Sequence, residues 1–220
     1  MDIPVVENVL KLNDEIASEN RQRLAEAGVA CVNLIGSPGC GKTALLERTL
    51  PALAQDLAVG LLAGDIATTR DAQRLAKHCP HVTQINTGGS CHLDANQVKQ
   101  GMRQLPIDEL DLLIIENVGN LICPVSFDLG QRATIGMFSV PEGEDKPAKH
   151  PRIVLEADLL LLGKMDLLEH VPFDREVFLR DLRSLREDVP LIELSAMTGA
   201  GLDRWIAWLT GMCAAAERVV

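Results

Sequence analysis

No stretch of this 220-residue chain is apolar for long enough to span a bilayer. The longest leucine run, Leu159 to Leu162, falls far short of the roughly twenty residues a membrane helix needs. Clusters of lysine and arginine are also missing, and the net charge is −10. Both argue against a nucleic-acid partner, because phosphate-backbone binding is carried by such clusters. Asp2 follows Met1 directly and no apolar block opens the sequence, so no secretory signal is expected and a cytoplasmic location is. There is no internal repeat and no low-complexity segment. The six cysteines (Cys31, Cys40, Cys79, Cys91, Cys123 and Cys213) are scattered through a chain large enough to need no staples. Free or metal-bound thiols are expected rather than a disulfide scaffold. What remains is a chain with 47% apolar residues and no long loop-like stretch, which suits one α/β domain with a substantial core.

Within it stands Gly36-Ser37-Pro38-Gly39-Cys40-Gly41-Lys42-Thr43, which reads G-x-x-x-x-G-K-T, the phosphate-binding loop of P-loop nucleotidases. Glycines let the backbone curl so that successive N–H groups point at phosphate oxygens. Lys42 adds a point charge at the β- and γ-phosphates, and the Thr43 hydroxyl can ligate Mg²⁺. The motif has the flanks it needs. The apolar, β-rich run Val29 to Ile35 precedes it, and the helix formers Ala44 to Arg48 follow, so the loop opens a helix whose N-terminus favours anions.

Ahead of this core, residues 3 to 27 read as a leading helix. Val5, Val9, Leu12, Ile16 and Leu24 recur at helical spacing, Glu7, Lys11, Glu15 and Glu19 form a charged face, and Gly28 is the stop. Residues 1–28 are thus expected to pack as a helix on a nucleotide-binding domain of residues 29–220. Further strands are expected at Leu57 to Ala63, Val82 to Thr87, Leu112 to Ile115, Ala133 to Val140, Leu159 to Leu162 and Leu191 to Leu194. Helices are expected over 70–77, 93–105, 174–187 and 201–216, and a charged loop over 141–147. Trp205 and Trp208, three apart on the last helix, read as packing residues. This alternation predicts a single P-loop NTPase domain with a doubly wound, mostly parallel sheet and flanking helices, with Leu112 to Ile115 placed centrally. Ligands in such sheets sit beyond the carboxyl ends of the strands. Asp65, Cys91, His92, Glu116, Cys123, Asp166 and Ser195 all follow strands and should crowd the edge that carries the P-loop.

Asp65 and Glu116 each end an apolar strand, where a carboxylate can hold Mg²⁺ directly or through water, or orient the water that attacks a γ-phosphate. Asp65 is assigned the water-orienting role and Glu116 the magnesium shell; a turn or helix cap is the plainer alternative for each. Gly163-Lys164-Met165-Asp166 resembles the N-K-x-D motif by which GTPases read their base. A carboxylate at Asp166 can accept from guanine N1–H and the N2 amino group, while the Lys164 stem lies along the base. Ser195-Ala196-Met197-Thr198-Gly199 resembles S-A-x-T-G, with the Ala196 N–H placed to donate to guanine O6. Gly163 departs from the pattern, which has asparagine there. Weaker guanine affinity is expected, with selectivity kept by Asp166.

Cys91, His92 and Cys123 bring thiolate and imidazole, ligands for borderline metals such as Zn²⁺, Ni²⁺ and Cu. A shared ion requires Cys91 and His92 to lie in a loop rather than on a strand, which Gly88-Gly89 permits. Three protein ligands leave a tetrahedral site open, to be closed by water or by a symmetry mate. The bland alternative is two small buried hydrophobes and a helix-capping histidine. His78-Cys79-Pro80-His81 is a second candidate cluster, though a surface turn is the commoner explanation there.

Taken together these segments closely resemble the hydrogenase nickel-incorporation GTPases, the HypB family, over essentially the whole chain. The resemblance rests on Ile3-Pro4-Val5-Val6-Glu7-Asn8, the P-loop, Asn86-Thr87-Gly88, Cys91-His92-Leu93-Asp94 and Glu116-Asn117-Val118-Gly119-Asn120-Leu121. It continues through Cys123-Pro124, Ser126-Phe127-Asp128-Leu129-Gly130 and Glu142-Gly143-Glu144-Asp145-Lys146-Pro147. It implies GTP hydrolysis with Mg²⁺, GTP-linked homodimerisation, and Cys91, His92 and Cys123 binding nickel or zinc at the dimer interface. It also implies a second nickel metallochaperone and the hydrogenase large subunit as partners. A cysteine-rich N-terminal metal motif and a histidine-rich stretch found in some members are missing, and Ser37 stands where related dimeric ATPases carry a lysine. The rival readings are a GTPase chaperone for urease or a cobalamin mutase, and a passive metal-binding scaffold with vestigial turnover.

Overall fold

The apolar run Ala30–Gly36 forms β1, buried along its whole length because a parallel strand lies on each side of it. The computed structural model describes residues 10–66 and 68–214. The further strands are β2 (Val59–Asp65), β3 (His81–Asn86), β4 (Leu112–Glu116), β5 (Ala133–Ser139), β6 (Leu159–Gly163) and β7 (Leu191–Glu193). All pair in parallel, in the order β3-β2-β4-β1-β5-β6-β7. The middle place therefore belongs to β1, and β4, expected at the centre, lies beside it. From β1 the chain runs outward to β2 and β3, returns to β4, and then crosses to β5 on the other side of β1. The carboxyl end of β1 is thus the point where the winding reverses, and a cleft opens there.

The helices are α1 (Lys11–Ala27), α2 (Lys42–Leu53), α3 (Arg70–Leu75), α4 (Ala95–Met102), α5 (Lys146–Lys149), α6 (Pro151–Glu156), α7 (Arg175–Leu185) and α8 (Leu202–Ala214). On one face of the sheet, Leu45, Leu50, Leu75, Trp205 and Leu209 from α2, α3 and α8 pack on Val32, Leu34, Leu112 and Ile114. On the other, α1 and α4 cover Cys31, Leu113 and Ile115, while Ile153 of α6 and Phe178 of α7 cover Ile35, Phe138 and Leu160. Alternate residues of β1 thus serve opposite faces, as a strand period of two requires. Trp205 is fully buried and donates its indole N–H to Thr49 Oγ1 at 2.9 Å, so it packs as expected.

Several expectations need correction. The leading helix starts in the described residues at Lys11, and the expected positions Val5, Glu7 and Val9 lie outside them. Leu12, expected on the inner face of that helix, is 65% exposed. Leu24 is buried as expected, and the rest of the inner face is Ala17, Asn20 and Ala27. Asn20 is anchored there by its Nδ2, which donates to the carbonyls of Ala95 and Leu129 inside the core. The helix expected from residue 93 starts at Ala95, because the Asp94 carboxylate accepts from Gln97 N (2.7 Å) and caps it. The charged loop over 141–147 holds a 3-10 turn and the start of α5, and α6 was not expected at all. Six residues are too few to show a helical period.

Candidate functional site

The P-loop closes around its own lysine. Gly39 and Gly41 take the left-handed φ values (74° and 110°) that the curl demands of them. Lys42 Nζ lies within it, donating to the carbonyls of Gly36 (2.9 Å) and Ser37 (3.3 Å). Cys40 is fully buried beneath the loop, where burial pushes its thiol pKa up, so any nucleotide contact it makes comes from its backbone. Pro38, Gly39, Gly41, Lys42 and Thr43 line a cleft of about 380 Å³ together with Asp65 from the end of β2 and Glu116 from the end of β4.

Glu116 is 5% exposed, and its Oε1 accepts from Thr43 Oγ1 at 2.7 Å. Burial pushes its carboxyl above the ordinary carboxylate range, against the opposing hydrogen bond from Thr43 and the charge of Lys42. Its second oxygen, Oε2, is buried with no hydrogen-bond partner among the described residues. Asp65 receives the Thr68 N–H and hydroxyl, each at 3.1 Å. One hydroxyl and two carboxylates facing a single cleft make a set of hard oxygen donors with an orphaned acceptor, which fits Mg²⁺.

On the other flank of the loop, Lys164 adopts a left-handed conformation (φ 58°), uncommon for a residue with a side chain, and its Nζ donates to Gly39 O at 2.6 Å. Ser195 Oγ donates to Asp166 Oδ1 at 2.5 Å and accepts from the N–H groups of Met197 and Thr198. The two segments expected to read the base are therefore tied to each other through Ser195 and Asp166, with Ala196 next to Ser195 in its turn. At Gly163 a Cβ would lie 2.7 Å from Met137 Cε, so the methionine fills the space that a side chain at 163 would need.

The sulfur atoms of Cys91 and Cys123 and a ring nitrogen of His92 all lie within 4.8 Å of one another. Cys91 and His92 lie in a loop, as expected, after the left-handed pair Gly88 and Gly89 (φ 63° and 116°), and Cys123 opens a 3-10 turn. His92 stacks on Phe127 with ring centroids 3.9 Å apart, and burial lowers its pKa, keeping the imidazole neutral and able to ligate. The hydrogen bond with Cys91 raises the Cys123 pKa. Two thiols and an imidazole suit a borderline metal. The other candidate cluster does not assemble. The Cys79 thiol is buried against Val59 O at 3.1 Å, and the set at residues 91, 92 and 123 is the metal-sized group found among the described residues.

The segment after Glu116 joins the two regions. Asn120 donates its backbone N–H to Gly36 O (3.0 Å) and its side-chain amide to Cys91 O (3.4 Å). Asn117 Oδ1 accepts from Leu93 N at 3.2 Å, and at Gly119 an added Cβ would lie 2.9 Å from Pro38 Cα. The asparagines of this Glu-Asn-Val-Gly-Asn stretch carry no role that the sequence alone announces, and neither do Asp71 and Arg74, which also line the cleft. These last two carry no motif; they reach the cleft because α3 folds back beside α2, where Arg74 meets Glu47.

The family model described as "CobW/HypB/UreG, nucleotide-binding domain" matches residues 30–193. The chain is 42% identical over 208 residues to the hydrogenase maturation factor HypB of Escherichia coli (strain K12), covering 94% of this chain and 72% of that protein. Among solved structures it is similar to HypB from Archaeoglobus fulgidus, with a TM-score of 0.87, 39% identity, and coverage of 93% of this chain and 100% of that one. It is likewise similar to HypB from Helicobacter pylori in complex with nickel, with a TM-score of 0.88, 34% identity, and coverage of 93% and 96%. With its P-loop, its parallel sheet and these likenesses, the chain belongs to the HypB hydrogenase maturation factors, within the CobW/HypB/UreG family of P-loop GTPases.

Proposed function

We propose that the protein is a GTP-binding and GTP-hydrolysing metallochaperone of the cytoplasm, carrying nickel (or zinc) as cargo toward a [NiFe]-hydrogenase. In this reading GTP binding drives homodimerisation, and a second nickel metallochaperone and the hydrogenase large subunit receive the ion. The observation that carries the reading is the Asn120 bridge, one residue bonded both to the P-loop carbonyl of Gly36 and to the carbonyl of Cys91. A shift of this segment in response to the γ-phosphate moves a metal ligand. The nickel complex of the Helicobacter pylori relative supports nickel as the cargo.

The geometry supports the following roles. Backbone N–H groups of residues 36–43 and the Lys42 ammonium hold the phosphates. Thr43 and Glu116 would hold Mg²⁺, which would supply neutralising charge for the phosphates, while Asp65 orients the attacking water. Asp166, fixed by Ser195 Oγ, accepts from the guanine edge, and the Ala196 N–H donates to O6. Cys91, His92 and Cys123 supply three donors to the cargo ion, and a two-fold axis beside them doubles the set. Because Cys123 and Glu116 share one segment, nucleotide state and metal affinity are linked, and the linkage is reciprocal.

Sedimentation with metal analysis tests this, comparing GDP with a non-hydrolysable GTP analogue, with and without nickel. Dimer formation and tighter nickel binding with the analogue are expected. Equal nickel affinity in the two nucleotide states sinks the coupled mechanism, and loss of coupling with Lys42→Ala ties it to the phosphates.

A further inference from the structure

Arg74 occupies an unusual place in the cleft. It stands on α3, five residues into the segment that follows Thr69, and lines the same cleft as Lys42, Thr43, Asp65 and Glu116. Lys42 and Arg74 are the cations of that lining, among carboxylates at Asp65, Asp71 and Glu116. Its guanidinium is gripped from one side: Nε donates to Glu47 Oε1 at 2.9 Å and Nη2 to Glu47 Oε2 at 2.5 Å, a bidentate pair reaching across from α2. Nη1 donates to Asp71 Oδ1 at 3.0 Å, one turn earlier on α3. A guanidinium has five N–H groups, and these three bonds leave two of them without a hydrogen bond among the described residues. The grip by Glu47 fixes the plane of the fork, while its Nη1 edge stays on the side of Asp71, another residue of the cleft lining. The Arg74 side chain is 42% exposed, so it is reachable by a ligand.

Such a group has an evident partner in the reading given above. When water attacks, its oxygen bonds to the γ-phosphorus, and the bond from that phosphorus to the β,γ-bridging oxygen breaks with its electron pair leaving on GDP. The proton of the water leaves with inorganic phosphate or to solvent. Charge redistributes over the γ-phosphoryl and bridging oxygens as this happens, and a planar cation already held in orientation stabilises it without a reorganisation cost. We propose that Arg74 is a catalytic residue supplied by the chain itself, held in plane by Glu47 and exchanging Asp71 for the γ-phosphoryl oxygens in the transition state. The inference rests on the GTPase reading and adds to it a named contact.

The plain alternative is a strut, an ion pair that only pins α3 to α2, and the experiment separates the two. Single-turnover GTP hydrolysis, GDP affinity, binding of GDP with aluminium fluoride, and melting temperature are measured for the wild type and for Arg74→Ala, Arg74→Lys and Glu47→Gln. Arg74→Ala is expected to slow hydrolysis by roughly tenfold or more, and to abolish the aluminium fluoride complex, with GDP affinity within threefold of wild type. Arg74→Lys keeps the charge but not the fork, and it falls between the two. Glu47→Gln breaks the charge pair between the helices yet retains an acceptor for Nε, so the fork is held less firmly and the rate falls, but by less than in Arg74→Ala. Wild-type rates in Arg74→Ala overturn the proposal, and so does Glu47→Gln slowing hydrolysis as much as Arg74→Ala while melting falls in step. No hydrolysis by the wild type overturns the GTPase reading itself, a result distinct from either.

Discussion

The phosphate cradle and the thiol–imidazole cluster lie on one edge of one sheet, yet they are built to different standards. In the cradle Lys42, Thr43 and Glu116 are each less than a tenth exposed and hydrogen-bonded within the chain. Their positions are over-determined, which is what electrostatic preorganisation requires. Cys91, His92 and Cys123 are half-buried, beside an apolar groove of about 420 Å³ and the 64% exposed Ile122. Here three donors gather with coordination positions left open. One region is shaped to hold a ligand tightly in a fixed pose. The other, in the proposed function, takes an ion and gives it up, and Asn120 is bonded to both the P-loop and the Cys91 carbonyl.

That contrast can be broken most severely at the cluster. Cys123→Ser is expected to cost roughly a hundredfold in nickel affinity, since even changes around a metal's ligands cost ten to a hundredfold. GDP affinity stays unchanged, and titration against a competing chelator in the presence of GDP reads both. Unaltered nickel affinity removes Cys123 from the site.

Asn120→Ala tests the connection rather than either end. It removes the bond to Cys91 O while the backbone bond to Gly36 remains. Each ligand alone should bind within about twofold of wild type. The ratio of nickel affinities between GTP-analogue and GDP states should drop by roughly fivefold, the size of a coupling energy near 1 kcal/mol. A ratio equal to that of the wild type places the coupling elsewhere.

The smallest effect sharpens the comparison from the cradle side. Burial raises the Glu116 pKa, so the ionised carboxylate opposes folding. That cost is absent below the unfolded value of 4.5, grows as pH rises toward the raised folded value, and is complete above it. Glu116→Gln should therefore melt higher than wild type at neutral pH in the absence of nucleotide, by roughly 2–4 °C for each kcal/mol relieved. The advantage shrinks as the pH falls toward 4.5, and Mg²⁺-dependent hydrolysis is lost. A lower melting temperature across the range shows the carboxylate to be a stabilising member of its network instead.

Much of this architecture was open to reading along the chain. Continuous apolar runs such as Leu112 to Ile115 and Leu159 to Leu162 are what strands covered on both faces look like, and each became a buried strand. The P-loop announces itself because backbone curvature and phosphate charge leave few residue choices. Reading failed where identity and position part company. Leu12 looks like core and faces solvent, because Asn20 finds carbonyl partners inside and takes part of the inner face of α1. The helix α6 is too short for its period to rise above its neighbours. Gly163 reads as a missing contact, and in space it is room occupied by the Met137 methyl, which reaches it from the neighbouring strand β5.

The sequence by itself determined the chemistry available: a phosphate loop, carboxylates at strand ends, a pair of turns resembling base-reading motifs, and two cysteines with a histidine of the types that ligate a borderline metal. Those follow from residue types at short spacing, which local geometry alone constrains. Only the tertiary structure decided that Cys91 and Cys123, thirty-two positions apart by their numbers, share one ion-sized space, and that Asn120 spans from there to the P-loop. It also decided that Arg74 turns into the nucleotide cleft under the grip of Glu47. The reason is the winding of the sheet. Segments after β1, β2, β3 and β4 meet at the edge where the order reverses, and no spacing along the chain records which side chains arrive there together.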